Sequence, residues 1–195
     1  MTLILASASP RRKQLLEQIG VNFQVCPADI DETVLPGEAP ETYVQRMSEQ
    51  KALAILNSDL EHGTVVIGSD TTVVCDQQIF GKPESEQDAI AILSRLSGRD
   101  HEVLSGICVM NTDQQHYGLS RTRVWFKPIS IDQMHRYWLS GEPCDKAGSY
   151  GIQGFGSAFI DRIEGSFSGV MGLPLEVMTE LLKPFNIEIW QEINK

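Results

Sequence analysis

Three consecutive basic residues near the start of the chain occupy an unusual position. Arg11, Arg12 and Lys13 follow Ser9-Pro10, a favoured N-cap and a favoured first helical residue. Unpaired cations at a helix N-terminus cost about 0.3–1 kcal/mol each. A bound phosphate would reverse that cost, because free N–H groups and guanidinium groups would converge on its oxygens. We favour such an anion site over a solvated basic turn in which Lys13 pairs with a glutamate one turn later.

A carboxylate lies inside the most β-like run of the sequence. Asp70 is in the middle of Val65–Cys75, which lacks polar–apolar alternation and therefore predicts a strand covered on both faces. In such a strand a carboxylate needs a partner, a metal or a shifted pKa. The alternative is a structural carboxylate that accepts hydrogen bonds from backbone N–H groups.

Two lysines are placed where regular elements could direct them to a shared site. Residues 41–56 predict a helix, and Lys51 falls in the middle of its apolar face. That face is predicted to consist of Val44, Met47, Ala54 and Ile55. Lys51 either extends along this face to solvent or projects into a site that holds negative charge. Lys82 precedes Pro83, which keeps its segment extended and stiff.

Together the candidates form a set of cations and acids. The cations are Arg11, Arg12, Lys51, Lys82 and, less strongly, Lys146; the acids are Asp70, Glu32 and its neighbour Asp31. Carboxylates without histidine or cysteine suit Mg²⁺ or Mn²⁺, which share protein oxygens with substrate phosphates. The cations could neutralise a polyphosphate, and an acid could take a proton from attacking water. These residues indicate an enzyme that acts on a nucleotide or polyphosphate.

Several common motifs are absent from the sequence. Gly81-Lys82 is followed by proline, so there is no P-loop, and the glycines between residues 148 and 156 do not fit G-x-G-x-x-G. No G-x-S-x-G elbow occurs. The four histidines are scattered, which argues against a histidine-based zinc site or triad.

The composition of the 195-residue chain is that of a globular protein, with 42% apolar and 22% charged residues. Its net charge of -10 argues against nucleic acid polymers and anionic membranes as partners. We find no charged-then-apolar leader and no apolar run near the ~20 residues of a membrane span. The four cysteines lack a C-x-x-C pair and are expected to be reduced thiols in the cytoplasm.

The elements that must position these residues alternate along the chain. Strands are predicted at residues 3–6, 21–26, 65–75, 79–83, 102–110, 116–127 and 158–163. Helices are predicted after Ser9, Ser85 and Ser130, over residues 41–56 and over residues 175–183. Residues 143–156 and 165–172 are predicted to be glycine-rich loops. This pattern favours an α/β fold with a mixed sheet, and the lack of a linker favours one domain over residues 1–195.

The chain resembles the Maf family of nucleoside triphosphate pyrophosphatases over nearly its whole length. The matching stretches are residues 7–12 (SASPRR), 49–52 (EQKA), 68–71 (GSDT), 81–83 (GKP), 145–154 (DKAGSYGIQG) and 170–174 (VMGLP). The resemblance implies hydrolysis of a nucleoside triphosphate to the monophosphate and pyrophosphate, with a divalent cation, in the cytoplasm. It implies an elongated mixed sheet flanked by helices, with two lobes around a cleft as in inosine triphosphate pyrophosphatases. A homodimer is expected from the family alone.

The resemblance also implies roles for individual residues. Asp70 would be the catalytic base, and Glu32 would join it as a metal or water ligand, with Asp31 next to it as the alternative. The phosphate-binding residues would be Ser7, Arg11, Arg12, Lys51 and Lys82.

Residues 146–153 resemble the branch of the family that acts on dTTP and UTP, rather than the branch specific for 7-methyl-GTP. The specificity positions of that branch correspond to Arg12, Thr71 and Gln153. Uracil and thymine present an acceptor, a donor and an acceptor, and one glutamine amide supplies both a donor and an acceptor. Modified uridine triphosphates are expected substrates as well. The alternative from a different class is a nucleotide-binding regulator of septum formation that needs no catalysis.

Overall fold

A computed structural model describes residues 2–58 and 60–191. Within these residues, seven strands form one mixed sheet in the order β2-β1-β3-β5-β6-β7, and β4 pairs with the end of β3. The strands are β1 (Leu3–Leu5), β2 (Gln24–Val25), β3 (Val65–Cys75), β4 (Gln78–Phe80), β5 (Asp100–Met110), β6 (Gln115–Phe126) and β7 (Ile160–Glu164). The α-helices are α1 (Pro10–Gln18), α2 (Pro40–Leu56), α3 (Glu86–Leu96), α4 (Ile131–Leu139), α5 (Phe167–Met171) and α6 (Leu175–Leu182).

The long strand β3 is the centre of the sheet. It pairs in parallel with β1 and antiparallel with β5, where Asp70 lies opposite Gly106. The strands β5 and β6 form the predicted hairpin, and β3 has the predicted bounds. The prediction of an α/β fold with a mixed sheet flanked by helices is confirmed.

Two large apolar clusters lie at opposite ends of β3. Val65 packs in one cluster with Leu16 of α1, and Val73 packs in the other with Leu93 of α3. Asp70 lies between them on the same strand. The predicted two-lobed arrangement therefore corresponds to two cores that share one sheet, with a polar position where they meet.

A glycine allows α2 to pack unusually close to β3. A Cβ built on Gly68 would lie 2.0 Å from the carbonyl oxygen of Ser48 and 2.7 Å from the amide nitrogen of Ala52. Only a residue without a side chain fits this approach. The contact turns the Ser48–Ala52 side of the helix onto the sheet, and Lys51 is carried with it.

The N-caps of three helices are as predicted. The hydroxyls of Ser9, Ser85 and Ser130 each accept a hydrogen bond from the backbone N–H three residues later. These bonds satisfy N–H groups that have no partner inside the helix. Serine is favoured at the N-cap for this reason, so the helix starts could be predicted from the sequence.

Several predictions about local structure are wrong. The strand predicted at residues 79–83 is Gln78–Phe80 and ends before Lys82. The second strand is only Gln24–Val25 rather than residues 21–26, because Val21 turns into the core. Ala54 is exposed, and Ala52 is buried on the apolar face of α2 instead, because of the close contact at Gly68. The loop at 165–172 contains the short helix α5, whose N-terminus is capped by Ser166.

Candidate active site

A buried lysine between two carboxylates forms the centre of the candidate site. The Nζ of Lys51 lies 2.7 Å from Oδ1 of Asp70 and 2.6 Å from Oε1 of Glu32. Asp70 is 6% exposed and Lys51 is 7% exposed, so both ions are shielded from water. Lys51 therefore projects into a negatively charged site, and the alternative of a side chain that extends to solvent is wrong.

The two carboxylates differ in their electrostatics. Burial raises the pKa of Asp70 above its ordinary value, against the opposing charges of Lys51 and Arg12. Burial would also raise the pKa of Glu32, but the hydrogen bond and charge of Lys51, with the charge of Lys82, hold it below its ordinary value. The surroundings therefore favour protonation of Asp70 and disfavour protonation of Glu32.

Glu32 and its neighbour Asp31 point in different directions. Oδ1 of Asp31 accepts a hydrogen bond from the backbone N–H of Thr33 at 2.9 Å, within its own loop. Glu32, in contrast, reaches Lys51. Of the two acids, only Glu32 contacts the buried cluster among the described residues.

Arg12 connects the start of α1 to β3. Its Nη1 donates to the hydroxyl of Ser7 at 3.2 Å, and its Nη2 donates to the hydroxyl of Thr71 at 3.3 Å. Burial lowers its pKa, while the charges of Asp70 and Glu32 raise it. The structure therefore brings Ser7, Arg12 and Thr71 together beside the carboxylate pair.

The remaining predicted cations surround this cluster or turn away from it. Lys82 is exposed, and its charge acts on Glu32. Nη2 of Arg11 lies 3.8 Å from Oδ2 of Asp145. Lys13 does pair with a glutamate of its own helix, at 3.6 Å. Of the three consecutive basic residues, Lys13 is the one that behaves as expected for a solvated basic turn.

Lys146, the weakest candidate among the cations, does not join the cluster. Its Nζ donates to the carbonyl oxygen of Glu142 and to Oδ1 of Asp145, both at 2.6 Å. In this structure it connects neighbouring turns.

Gln153 lies apart from the charged cluster. Its side chain is exposed at the edge of a cavity of about 800 Å³, which α1 borders through Leu15 and Gln18. Neither Asp70 nor Lys51 lines that cavity. The structure therefore joins Arg12 to Thr71 but shows no contact of either with Gln153 among the residues it describes.

The available oxygen donors are compared with what a divalent metal ion needs. The described residues contain no group of three or more His, Cys, Asp or Glu side chains that could hold an ion. Glu32 and Asp70 instead present two carboxylates that face one buried cation. Two hard oxygen donors fit Mg²⁺ or Mn²⁺ shared with substrate phosphates, and they do not fit an all-protein metal cage.

Several positioning groups were missed by the sequence reasoning. The carbonyl oxygen of Gly172 accepts hydrogen bonds from Nε of Arg12 at 2.9 Å and from the hydroxyl of Ser69 at 3.0 Å. The hydroxyl of Ser105 lies 2.8 Å from that of Thr71 and donates to the carbonyl of Gly169. A signal was available, because Ser69 and Ser105 are polar residues inside apolar strands.

The loop that carries Glu32 is held by α2. The hydroxyl of Tyr43 donates to the carbonyl oxygen of Glu32 at 3.1 Å. Arg46 forms a two-point ion pair with Glu38 at 2.6 and 2.7 Å and donates to the carbonyl of Thr33 at 3.0 Å. The helix thus supplies both the lysine of the site and the groups that fix its acidic partner.

Comparison with known proteins identifies the family. A family model described as Maf-like protein matches residues 2–185. The chain belongs to the Maf family. Relatives of this Maf protein named "dTTP/UTP pyrophosphatase" include one from Vibrio parahaemolyticus, 47% identical over 95% of this chain and 97% of the relative. Others are from Pseudoalteromonas atlantica (48% identical, 95% and 97%) and Hahella chejuensis (45%, 97% and 95%).

One solved structure, titled as that of the Staphylococcus aureus Ham1 protein, covers 65% of this Maf chain and 72% of its own. Its TM-score of 0.43 and identity of 13% are too low to support an argument. Within the residues described for this Maf protein, no helix is both long and apolar enough to cross a membrane.

Proposed function

We propose that this Maf protein hydrolyses dTTP and UTP, and modified uridine triphosphates, to the nucleoside monophosphate and pyrophosphate. The observation that carries the proposal is the buried contact of Lys51 with Asp70 and Glu32 beside Arg12. Cations and acids gathered around a buried carboxylate are what cleavage of a phosphoanhydride requires. Relatives with 45–49% identity that are named dTTP/UTP pyrophosphatase support the same activity.

In this proposal the cations bind the triphosphate. The groups that would contact phosphate oxygens are Ser7, Arg11, Arg12, Lys51 and Lys82. Arg12 is already directed by Ser7, Thr71 and the backbone, so its guanidinium needs little ordering when substrate binds. Its planar fork suits phosphate better than an ammonium group would.

Asp70 would act as the general base. It would take a proton from the water that attacks phosphorus, while the bond between the α and β phosphates breaks and pyrophosphate leaves. Its raised pKa brings the carboxyl closer to the working pH, as an efficient base requires. Activity should therefore fall at low pH, with a limb above the ordinary carboxyl pKa of 3.8.

Glu32 and Asp70 are the residues that would hold a divalent cation, Mg²⁺ or Mn²⁺, together with substrate phosphates. When bound, such an ion supplies charge neutralisation at the phosphates. Lys51 contacts both carboxylates and so keeps them close together.

Base recognition would involve Arg12, Thr71 and Gln153. A hydrogen bond joins Arg12 to Thr71, and in this proposal both would lie at the phosphate end of the site. Gln153, beside a cavity next to α1, would read the uracil or thymine edge. We expect Gln153→Ala to reduce discrimination between bases more than phosphate binding. Location in the cytoplasm and a homodimer remain expectations.

The test is product analysis with UTP and dTTP in the presence of Mg²⁺ or Mn²⁺. We expect pyrophosphate and the monophosphate from the wild type, and a loss of about 10²–10⁴-fold in kcat for Asp70→Asn. Asp132→Asn, an exposed acid on α4, is the matched control. Release of orthophosphate alone would refute the proposal. A cellular effect on septum formation that persists in Asp70→Asn would favour the regulator instead.

A further inference from the structure

The backbone around Gln153 is organised by one carboxylate. Oε2 of Glu142 accepts from the N–H of Phe155 at 2.7 Å, and Oε1 accepts from the N–H of Gly156 at 3.0 Å. Oε1 also accepts from the hydroxyl of Tyr137 at 2.7 Å. We refer to residues 151–156 as the Gln153 turn. Two of its backbone donors therefore end on Glu142.

Tyr137 completes this arrangement. Its hydroxyl donates to Glu142 and accepts from the N–H of Gly151 at 3.0 Å, at the other end of the turn. Tyr137 is 4% exposed and lies on α4. The Gln153 turn is thus bonded at both ends to a pair of side chains that are bonded to each other.

The glycines of the turn are needed for contact with this pair. A Cβ on Gly154 would lie 2.0 Å from Oε2 of Glu142, and a Cβ on Gly156 would lie 2.6 Å from the hydroxyl of Tyr137. Neither glycine has a positive φ, so backbone conformation does not explain why glycine occupies these positions. The glycine-rich sequence is therefore explained by close packing of the backbone on Glu142 and Tyr137.

The charge of Glu142 strengthens these bonds. Burial alone would raise the pKa of Glu142, but the bonds from Gly156, Tyr137 and Phe155 outweigh it and lower that pKa. An ionised acceptor makes stronger hydrogen bonds than a neutral one. The carboxylate therefore holds the turn as a charged centre at neutral pH.

A chain of polar contacts links Glu142 to the phosphate-binding helix. Lys146 donates to the carbonyl of Glu142 and to Asp145, and Asp145 lies 3.8 Å from Arg11 of α1. These contacts connect the segment that carries Glu142 to α1, which also borders the cavity beside Gln153.

We infer that Glu142, supported by Tyr137, is a positioning residue for base selectivity: it fixes the backbone that presents Gln153 without itself contacting the base. This inference rests on the proposed function. Position matters here because half a turn of a glutamine amide exchanges its donor and its acceptor. An amide on an unfixed backbone would accept the cytosine edge as readily as the uracil edge.

The experiment measures two selectivity ratios: kcat/KM for UTP over kcat/KM for CTP, and, for non-hydrolysable α,β-imido analogues, the Kd of the CTP analogue over the Kd of the UTP analogue. Glu142→Gln replaces one acceptor oxygen by a donor and should lower both ratios about tenfold. Tyr137→Phe should lower them less, because Glu142 keeps its two backbone bonds. Glu180→Gln, an exposed acid on α6, is the matched control and should change neither ratio.

A double variant tests whether Glu142 affects base selectivity through Gln153. If Glu142 acts through Gln153, adding Glu142→Gln to Gln153→Ala should produce no further loss of selectivity. Equal losses for both nucleotides in Glu142→Gln, or additive losses in the double variant, would overturn the inference. If Glu142→Gln does not fold, Tyr137→Phe must show the smaller loss. Absence of pyrophosphate release by the wild type would refute the proposed function, whereas the binding ratios would still test Glu142.

Discussion

Two irregular segments carry Glu32 and Gln153, and they are held in opposite ways. Residues 26–39, which we call the Glu32 segment, are tied from outside by Tyr43 and Arg46 of α2. The Gln153 turn is wrapped around Glu142 and Tyr137. Neither contains an α-helix or a strand. The first is secured by side chains that reach its carbonyl groups, and the second by side chains that reach its N–H groups.

The difference matches what each segment would have to do. Glu32 must place one charge next to a buried lysine, which itself attracts the carboxylate and tolerates small displacements. Gln153 would have to present a neutral amide in one orientation, and no charge guides it. Hydrogen bonds are directional, whereas charge attraction falls off slowly with distance. We therefore expect the two segments to fail differently when perturbed.

Among changes within the two segments, the largest effect is expected for Glu32→Gln. Loss of its charge should lower kcat with UTP by about 100-fold, while the UTP to CTP ratio stays as in the wild type. Steady-state kinetics with both nucleotides measures this. The matched control is Asp31→Asn, since Asp31 is turned into its own loop and should stay near wild-type activity. A reversed result would mean that the neighbouring acid is the functional one.

A smaller effect is expected for Arg46→Lys. Lysine cannot reproduce the two-point pair with Glu38 or the added bond to Thr33, so the Glu32 segment should loosen. We expect kcat/KM to fall roughly tenfold for UTP and CTP alike. Arg95→Lys, which alters an exposed ion pair with Asp76, should leave kcat/KM unchanged. If Arg46→Lys changed base selectivity instead, the two segments would not have the separate roles proposed for them.

Glycine substitutions compare the two segments directly. Gly154→Ala would push a methyl group into Glu142, and we expect a loss of about 1–3 kcal/mol in the free energy of unfolding together with reduced UTP selectivity. Gly37→Ala meets no neighbouring atom and has only the strain of a positive φ, roughly 1–2 kcal/mol. It should leave selectivity intact. Urea unfolding and the two kinetic ratios test both variants, and unchanged selectivity in Gly154→Ala would argue against the role of Glu142.

The last effect is on stability, and it concerns pH and the residue before the Gln153 turn. The hydroxyl of Tyr150 lies 2.7 Å from Nε2 of His101, and burial lowers the pKa of His101 to about 4 from 6.5. The unfolded chain therefore binds a proton that the folded chain excludes. Stability should be complete above pH 6.5 and decrease by up to roughly 3 kcal/mol as pH falls toward 4.

This prediction is checked by urea unfolding between pH 7 and pH 4.5. In His101→Gln the decrease should be shallower, whereas His62→Gln, at an exposed position, should behave as the wild type. An unchanged slope in His101→Gln would show that other groups cause the pH dependence.

Much of the molecule could be predicted from local patterns. The bounds of β3, the caps at Ser9, Ser85 and Ser130 and the β5–β6 hairpin depend on neighbours in sequence. The helix α5 was missed because its glycines conceal the cap at Ser166. The assignment of Ala54 to the apolar face of α2 was wrong, because the close approach of α2 to Gly68 buries Ala52 instead.

The candidate catalytic and binding residues could also be identified from their neighbours in sequence. Charged side chains in apolar strands and helix faces conflict with their surroundings, so Asp70 and Lys51 could be singled out one by one. Their meeting could not be derived from spacing. The groups that position them, such as Tyr43 and Arg46 for Glu32, resemble ordinary helix residues until the loop folds back on them.

The sequence by itself determined the alternation of elements, the candidate charges and the resemblance to the Maf family, since each depends on residue type and short-range spacing. Only the tertiary structure decided that Lys51 contacts both carboxylates, that Glu32 rather than Asp31 reaches it, and that Gln153 lies in a turn built on Glu142. The reason is physical. Contacts between distant residues depend on how closely a helix packs on a sheet and on where an irregular backbone finds its hydrogen-bond partners.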